Sequence, residues 1–117
     1  MRHRKNKITL DRGAAHRGAL LRNLATSLVL YDQIQTTEAK AKALRPFMER
    51  LVTLSKNPTL ANRRKLIKAL YTKGAVRKAC DVLGPRYKDR KGGFLRITHL
   101  GTRRGDAARL AHISFVV

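Results

Sequence analysis

A chain of 117 residues and 13.2 kDa is the size of one domain, and its 43% hydrophobic content is enough for a modest core. Twenty-seven Lys and Arg against seven Asp and Glu leave a formal charge of +20 and a pI near 11.6. Self-repulsion on that scale opposes compaction and draws the chain towards polyanions.

A membrane is the wrong polyanion. There is no Trp, only three Phe, and no apolar run near the roughly 20 residues of a membrane span. The first long apolar stretch, "ALLRNLATSLVLY", is broken by Arg22 and Asn23 and makes a poor signal peptide, so an intracellular location is expected, cytoplasmic first and an organelle second. Cys80 is the one cysteine; it cannot close an internal disulfide, which fits a reducing compartment.

In chain order, residues 1–10 read as a basic N-terminal arm. Five of the first seven residues in "MRHRKNK" are Arg, Lys or His, and nothing there but Met1 is apolar. Such an arm packs on no core; it orders when a second polymer neutralises it. Residues 11–117 read as a single domain. Asp11 is the expected N-cap of a first helix running to about Tyr31, with Leu20, Leu21, Leu24, Ala25, Leu28 and Tyr31 on its inward stripe. "QIQTT" predicts a brief strand. Thr37 then caps a second helix, with Glu38 in its first turn and an inward stripe of Ala41, Leu44, Met48, Leu51 and Val52. Pro46 falls inside that helix and predicts a kink.

"KNP" ends the run. Asn57 or Thr59 caps a third helix with Leu60, Ile67 and Leu70 inward, and a fourth carries Val76, Ala79, Cys80 and Leu83. "LGPRY" predicts a stop, with Gly84 at the helix end and Pro85 just beyond. "FLRITHL" and "ARLAHISFVV" alternate at period two, and "GTRRGD" joins them as an antiparallel hairpin. Ala111, Ile113, Phe115 and Val117 are expected on one face. The predicted fold class is α+β: a two-layer domain of order α-β-α-α-α-β-β, helices packed on a small sheet.

Catalysis finds no support. The seven acids are scattered from Asp11 to Asp106, His3, His16, His99 and His112 lack metal-ligand spacing, and one Cys supplies no zinc cluster. Cys80 reads as a small buried thiol, and the "RGD" at Arg104–Asp106 as a cationic turn. No catalytic residue, metal or cofactor is expected.

The cations cluster. One group is Arg2, Arg4, Lys5 and Lys7, continuing through Arg12, Arg17 and Arg22. Others are Arg63 to Lys65 in "NRRK", the "GPRYKDRKGGFLR" segment, and Arg103 and Arg104 in the hairpin tip. Arg offers bidentate contacts to phosphate and a flat surface for a base. Gly92 and Gly93 permit positive φ and close approach of a backbone to phosphate. Tyr87 and Phe94 have rings able to stack on bases, with the core favoured for Phe94. A duplex-DNA reader needs a helix with a base-reading face, which the first helix lacks. A basic arm with several separated basic loops suits a folded RNA instead. An architectural DNA-binding protein is the second reading and an RNA-modifying enzyme the third.

"MRHRK", "HRGALLRNLATSLV", "IQTTEAKAKALRP", "NRRK", "LGPRYKDRKGGFLRI" and "RRGDAARLAHI" together carry a resemblance. In that order, across essentially all 117 residues, the chain closely resembles the bacterial large-subunit ribosomal protein seventeen family. The resemblance implies the same α-β-α-α-α-β-β order. It also implies a non-catalytic role binding 23S ribosomal RNA near the peptide exit tunnel. Neighbouring large-subunit ribosomal proteins are the other implied partners, with no small-molecule substrate and no homo-oligomer. Departures from the family pattern stand at Asn6 to Leu10, at Ala14 and Ala15 in place of a usual Ser-Ser pair, and at Phe94, Leu95 and Arg96 in place of Tyr-Thr-Arg.

The candidate RNA-contacting set is therefore Arg2, His3, Arg4, Lys5, Lys7, Arg12, His16, Arg17, Arg22, Thr36, Thr37, Lys40, Arg63, Arg64, Arg86, Tyr87, Arg90, Lys91, Gly92, Gly93, Arg96, Arg103 and Arg104.

Overall fold

The computed structural model describes Leu10 and residues 13–117. Its first helix, α1, spans Ala14–Tyr31, and strand β1, Gln33–Thr37, follows after a left-handed turn at Asp32. The expected N-cap, Asp11, lies outside the described residues; the position before the helix is Gly13, which offers no side-chain cap. Helix α2, Glu38–Ser55, begins as predicted, with the Thr37 hydroxyl accepting from Lys40 N–H at 3.4 Å, and it continues unbroken through Pro46. Helix α3 is Leu60–Ala69, capped by Thr59, whose hydroxyl accepts from Asn62 N–H at 3.3 Å. Helix α4, Lys73–Lys78, runs into a π-helical stretch, Ala79–Leu83, and a last short turn α5, Gly84–Arg86. Strands β2, Leu95–Thr102, and β3, Arg109–Phe115, complete the chain.

The three strands form one antiparallel sheet in the order β1-β3-β2. Ile34 and Ile97 flank Ile113, and Leu95 lies opposite Phe115, so these side chains share a face. That face meets the helices. Ala41, Leu44, Met48, Leu51 and Val52 of α2 are all buried, as their spacing predicted, with Ala25, Leu28 and Val29 of α1 and Ala111, Ile113 and Phe115 of β3. The architecture is the α+β two-layer arrangement expected.

Several side chains face other than predicted. Tyr31 is 70% exposed, and Thr26 and Val29 take inward places on α1. On α3, Leu60 and Ile67 are 67% and 61% exposed, while Leu66, Ala69 and the following Leu70 are buried. Leu60 and Ala69 are the two ends of a ten-residue helix, too short for one stripe to dominate by pattern alone; packing on α2 selects Leu66. Val117 lies beyond β3 and is fully exposed.

Gly84 corrects a larger expectation. It does not stop the helix: its φ and ψ are both −56°, and its N–H donates to Ala79 across the wider π turn. A Cβ built at Gly84 would stand 2.3 Å from the backbone oxygen of Ser55. The glycine is there because the end of α2 passes directly over it.

Candidate nucleic-acid interface

Arg2, His3, Arg4, Lys5, Lys7 and Arg12 lie outside the described residues. On α1, His16 and Arg22 are exposed and Arg17 is half-buried near the helix start. Leu20, Leu21 and Leu24 are partly covered on the same helix, so this end of α1 is a cationic rim beside the core.

The β1–α2 junction brings together residues distant in sequence. Thr36, Thr37, Lys40 and Arg103 line one cavity of about 290 Å³ with Gln35 and Leu110. Pairing of β1 with β3, Thr36 opposite Ala111 and Thr37 opposite Leu110, carries the hairpin tip to this place. The Thr37 hydroxyl is already committed to its cap. Glu38 pairs with Lys42 at 2.8 Å and lies 3.5 Å from His99. The hydrogen bond from Lys42 holds its carboxyl below the usual range, helped by the charges of His99 and Arg109.

Arg103 is less free than its place in a basic turn suggests. Its Nε and Nη2 donate to the two carboxylate oxygens of Asp106 at 3.1 and 2.6 Å, and Ala108 N–H donates to the same group at 3.1 Å. The "RRGD" turn is thus a clasp that presents Arg104, exposed and in no ion pair among the described residues. The Arg103 hydrogen bond, with the Ala108 N–H, lowers the Asp106 pKa from 3.8 to about 2. A depressed carboxylate pKa favours the folded turn above the ordinary value, and that contribution is lost as pH falls towards 2. Carbon-detected NMR titration should place the Asp106 midpoint near 2, and Arg103→Ala should return it towards 3.8.

In the segment from Arg86 to Gly93, Tyr87 corrects the sequence reading. Its ring is only 3% exposed, its centroid 5.2 Å from that of Phe94 and 6.3 Å from that of Phe115, and its hydroxyl donates to the Val116 carbonyl. It anchors the loop from below and has no face left for a base. Phe94 is buried at 1% exposure, as favoured. Arg86 lies over the Tyr87 ring at 5.9 Å. Lys56 Nζ donates to the Arg90 carbonyl at 2.5 Å, and Arg90 Nε donates to Gly92 O at 3.2 Å. Gly93 has φ +65°, the left-handed conformation anticipated for the pair; Gly92 does not share it. Held this way, the loop presents Lys88, Arg90 and Lys91 outward.

Arg63 and Arg64 are exposed on α3, and Arg96 stands on the sheet face opposite the core. That face was missed from sequence. The register sets Gln33, Ser114 and Arg96 in one row and Gln35, His112 and Thr98 in the next. It is a hydrogen-bonding surface without an acid, and the period-two alternation of "QIQTT" and "AHISF" is the signal that marks it. Arg50 was also missed, and Lys65, though named in the "NRRK" cluster, is absent from the candidate set: they line a cavity with Lys91 and Gly92, and only the packing of α2, α3 and the loop reveals the group.

Among the described residues Lys42, Lys78 and Arg103 are paired with acids, whereas Arg50, Arg64, Lys65, Arg86, Lys91 and Arg96 form no ion pair. No group of His, Cys, Asp and Glu able to hold a metal ion occurs among them, and no helix is long and apolar enough to cross a membrane. Cys80 is a buried free thiol.

Residues 20–116 match the family model described as Ribosomal protein L17. The chain belongs to the ribosomal protein L17 family. Among its relatives, the large ribosomal subunit protein bL17 of Sphingopyxis alaskensis is 50% identical over 116 residues, covering 99% of this chain and 84% of the relative. The protein of the same name from a Hydrogenobaculum species is 50% identical over 117 residues, covering 99% of both. That from Rickettsia bellii is 49% identical over 116 residues, covering 99% and 82%. Membership places the chain among ribosomal proteins and not among enzymes.

Proposed function

We propose that this chain is a structural, non-catalytic constituent of the large subunit of a cytoplasmic ribosome, where it binds and stabilises folded 23S ribosomal RNA. Its Arg and Lys side chains neutralise phosphates of RNA segments that approach from several directions. Those placed to do so are Arg17 and Arg22 on α1, Lys40 at the β1–α2 junction, Arg63 and Arg64 on α3, Arg86, Arg90 and Lys91 in the loop, Arg96 on the sheet, and Arg103 and Arg104 in the hairpin, with His16, Thr36 and the Gly92–Gly93 backbone adding hydrogen bonds. The arm residues Arg2 to Lys7, with Arg12, extend the set. A position near the peptide exit tunnel, with other large-subunit proteins as neighbours and no homo-oligomer, is what the family resemblance implies.

The observation that carries the reading is a +20 chain, most of whose charged side chains have no acid to answer them, matched along 99% of its length by large-subunit proteins. Specificity comes from shape, because phosphate contacts alone carry no sequence information. The test is competition at moderate salt between a matched 23S fragment and a scrambled RNA of equal length. Preference for the matched fragment supports the reading; equal binding overturns it.

A further inference from the structure

A cavity of about 420 Å³ opens where α2, α3 and the loop before β2 converge, lined by Glu49, Arg50, Thr53, Leu54, Lys65, Lys91, Gly92 and Phe94. Its size falls within the roughly 300–1,000 Å³ of small-ligand sites. We propose that it receives one guanine nucleotide of the bound RNA, extruded from its stack; this rests on the RNA-binding reading above and gives it a specific subsite.

Three kinds of chemistry meet there. Leu54, only partly buried, is the apolar floor that lies beside the buried Phe94, and it suits the face of a base and not a hydrated phosphate. Arg50, Lys65 and Lys91 are exposed at the cavity and form no ion pair among the described residues, leaving an unanswered positive rim for the nucleotide's phosphate. Glu49 is the third element. Its Oε1 accepts from Phe94 N–H at 3.1 Å, which fixes the carboxylate on the loop, and its Oε2 has no partner among the described residues. A carboxylate accepts through about four lone-pair sites, so Oε1 keeps room for a second donor beside the free Oε2. The base that sets two donors side by side is guanine, through N1–H and the exocyclic amino group, and unstacked bases of RNA are read on that edge.

The combination discriminates against other occupants. An acidic peptide would satisfy the cations but bring its own carboxylates against Glu49. A phosphate alone would leave the apolar floor and the carboxylate unused. Gly92 adds a wall without a side chain, and even a Cβ there would meet nothing within 4 Å.

The test uses the full chain bound to a matched 23S fragment, with kethoxal as the probe of guanine N1 and N2 and hydroxyl-radical cleavage of the RNA backbone reporting the footprint as a whole. Three chains are compared: wild type, Thr53→Trp, which plugs the cavity from exposed α2 without changing charge, and Glu49→Gln. Gln keeps an acceptor for Phe94 N–H and converts the free oxygen into a donor. The expected result is one guanine protected in wild type that becomes reactive with Thr53→Trp and with Glu49→Gln, while the other protections persist. If Thr53→Trp loses the whole footprint, the plug has unfolded the chain and Glu49→Gln decides. Protections identical in wild type and Glu49→Gln, or no protected guanine in a wild-type footprint that is otherwise present, overturn the subsite and leave the RNA-binding reading standing. Absence of any wild-type footprint overturns both.

Discussion

Raising monovalent salt from about 50 to about 200 mM should weaken binding of this chain to a matched ribosomal RNA fragment by roughly three orders of magnitude. Engagement of about eight phosphates, at the single-strand coefficient of about 0.7 per contact, gives a log–log slope near −6. The cations to supply them are present without acidic partners: Arg64, Arg86, Lys91, Arg96 and Arg104 form no ion pair among the described residues. Arg103 is a weaker contributor, because its guanidinium is held by Asp106 and the RNA must compete for it. Filter binding across a salt series measures the slope. Lys91→Glu should weaken every RNA alike and flatten the slope by about one or more. A slope shallower than about −2 would mean that phosphate neutralisation is not what holds the complex.

Gly84→Ala should be the most damaging single-methyl change in the fold. In an ordinary helix this substitution stabilises by about 1 kcal/mol, since alanine is the better helix former. Here the sign reverses. The new Cβ would sit 2.3 Å from Ser55 O and 3.0 Å from Ser55 C, both backbone atoms. Ser55 cannot yield easily: it is 1% exposed at the end of α2, and its hydroxyl donates to Leu51 O at 2.8 Å. Overpacking of this kind costs about 1–3 kcal/mol, and a backbone obstacle puts it at the upper end. For a domain of this size that is a fall in Tm on the order of 10 °C. Gly92→Ala is the matched control: nothing lies within 4 Å of its Cβ and its φ is not positive, so thermal denaturation should barely register it. Equal Tm values for the two variants would contradict the close approach of α2.

Local chemistry made much of this fold legible. Thr37 as a cap, "QIQTT" as a strand and the α2 stripe from Ala41 to Val52 all follow from short-range hydrogen bonding and helical period. What failed depends on contacts across the fold. On α3, Leu60, Leu66, Ile67 and Leu70 support two phases, and the surface of α2 chooses between them. Gly84 followed by Pro85 looks like a helix stop because glycine serves both terminations and close crossings, and only the position of Ser55 tells them apart. Tyr87 sits in a run of cations, yet the Val116 carbonyl and two Phe rings draw it inward.

The candidate site divides in the same way. Residue types were readable, since Arg, Lys and Gly declare their chemistry by composition. Their grouping was not. Arg103 meets Thr36 and Lys40 only because β1 pairs with β3, and Arg50 and Lys65 meet Lys91 only because the loop crosses α2 and α3. The Arg103–Asp106 clasp is hidden too, since "RRGD" reads as a cationic turn although the pair stands only three residues apart.

Sedimentation of cell extract through a sucrose gradient, with this chain followed by antibody, addresses the underlying claim most directly. Charge unanswered within the polypeptide and answered by ribosomal RNA predicts co-migration with large subunits that survives a moderate salt wash. Recovery of the chain at the top of the gradient, even at low ionic strength, would contradict it.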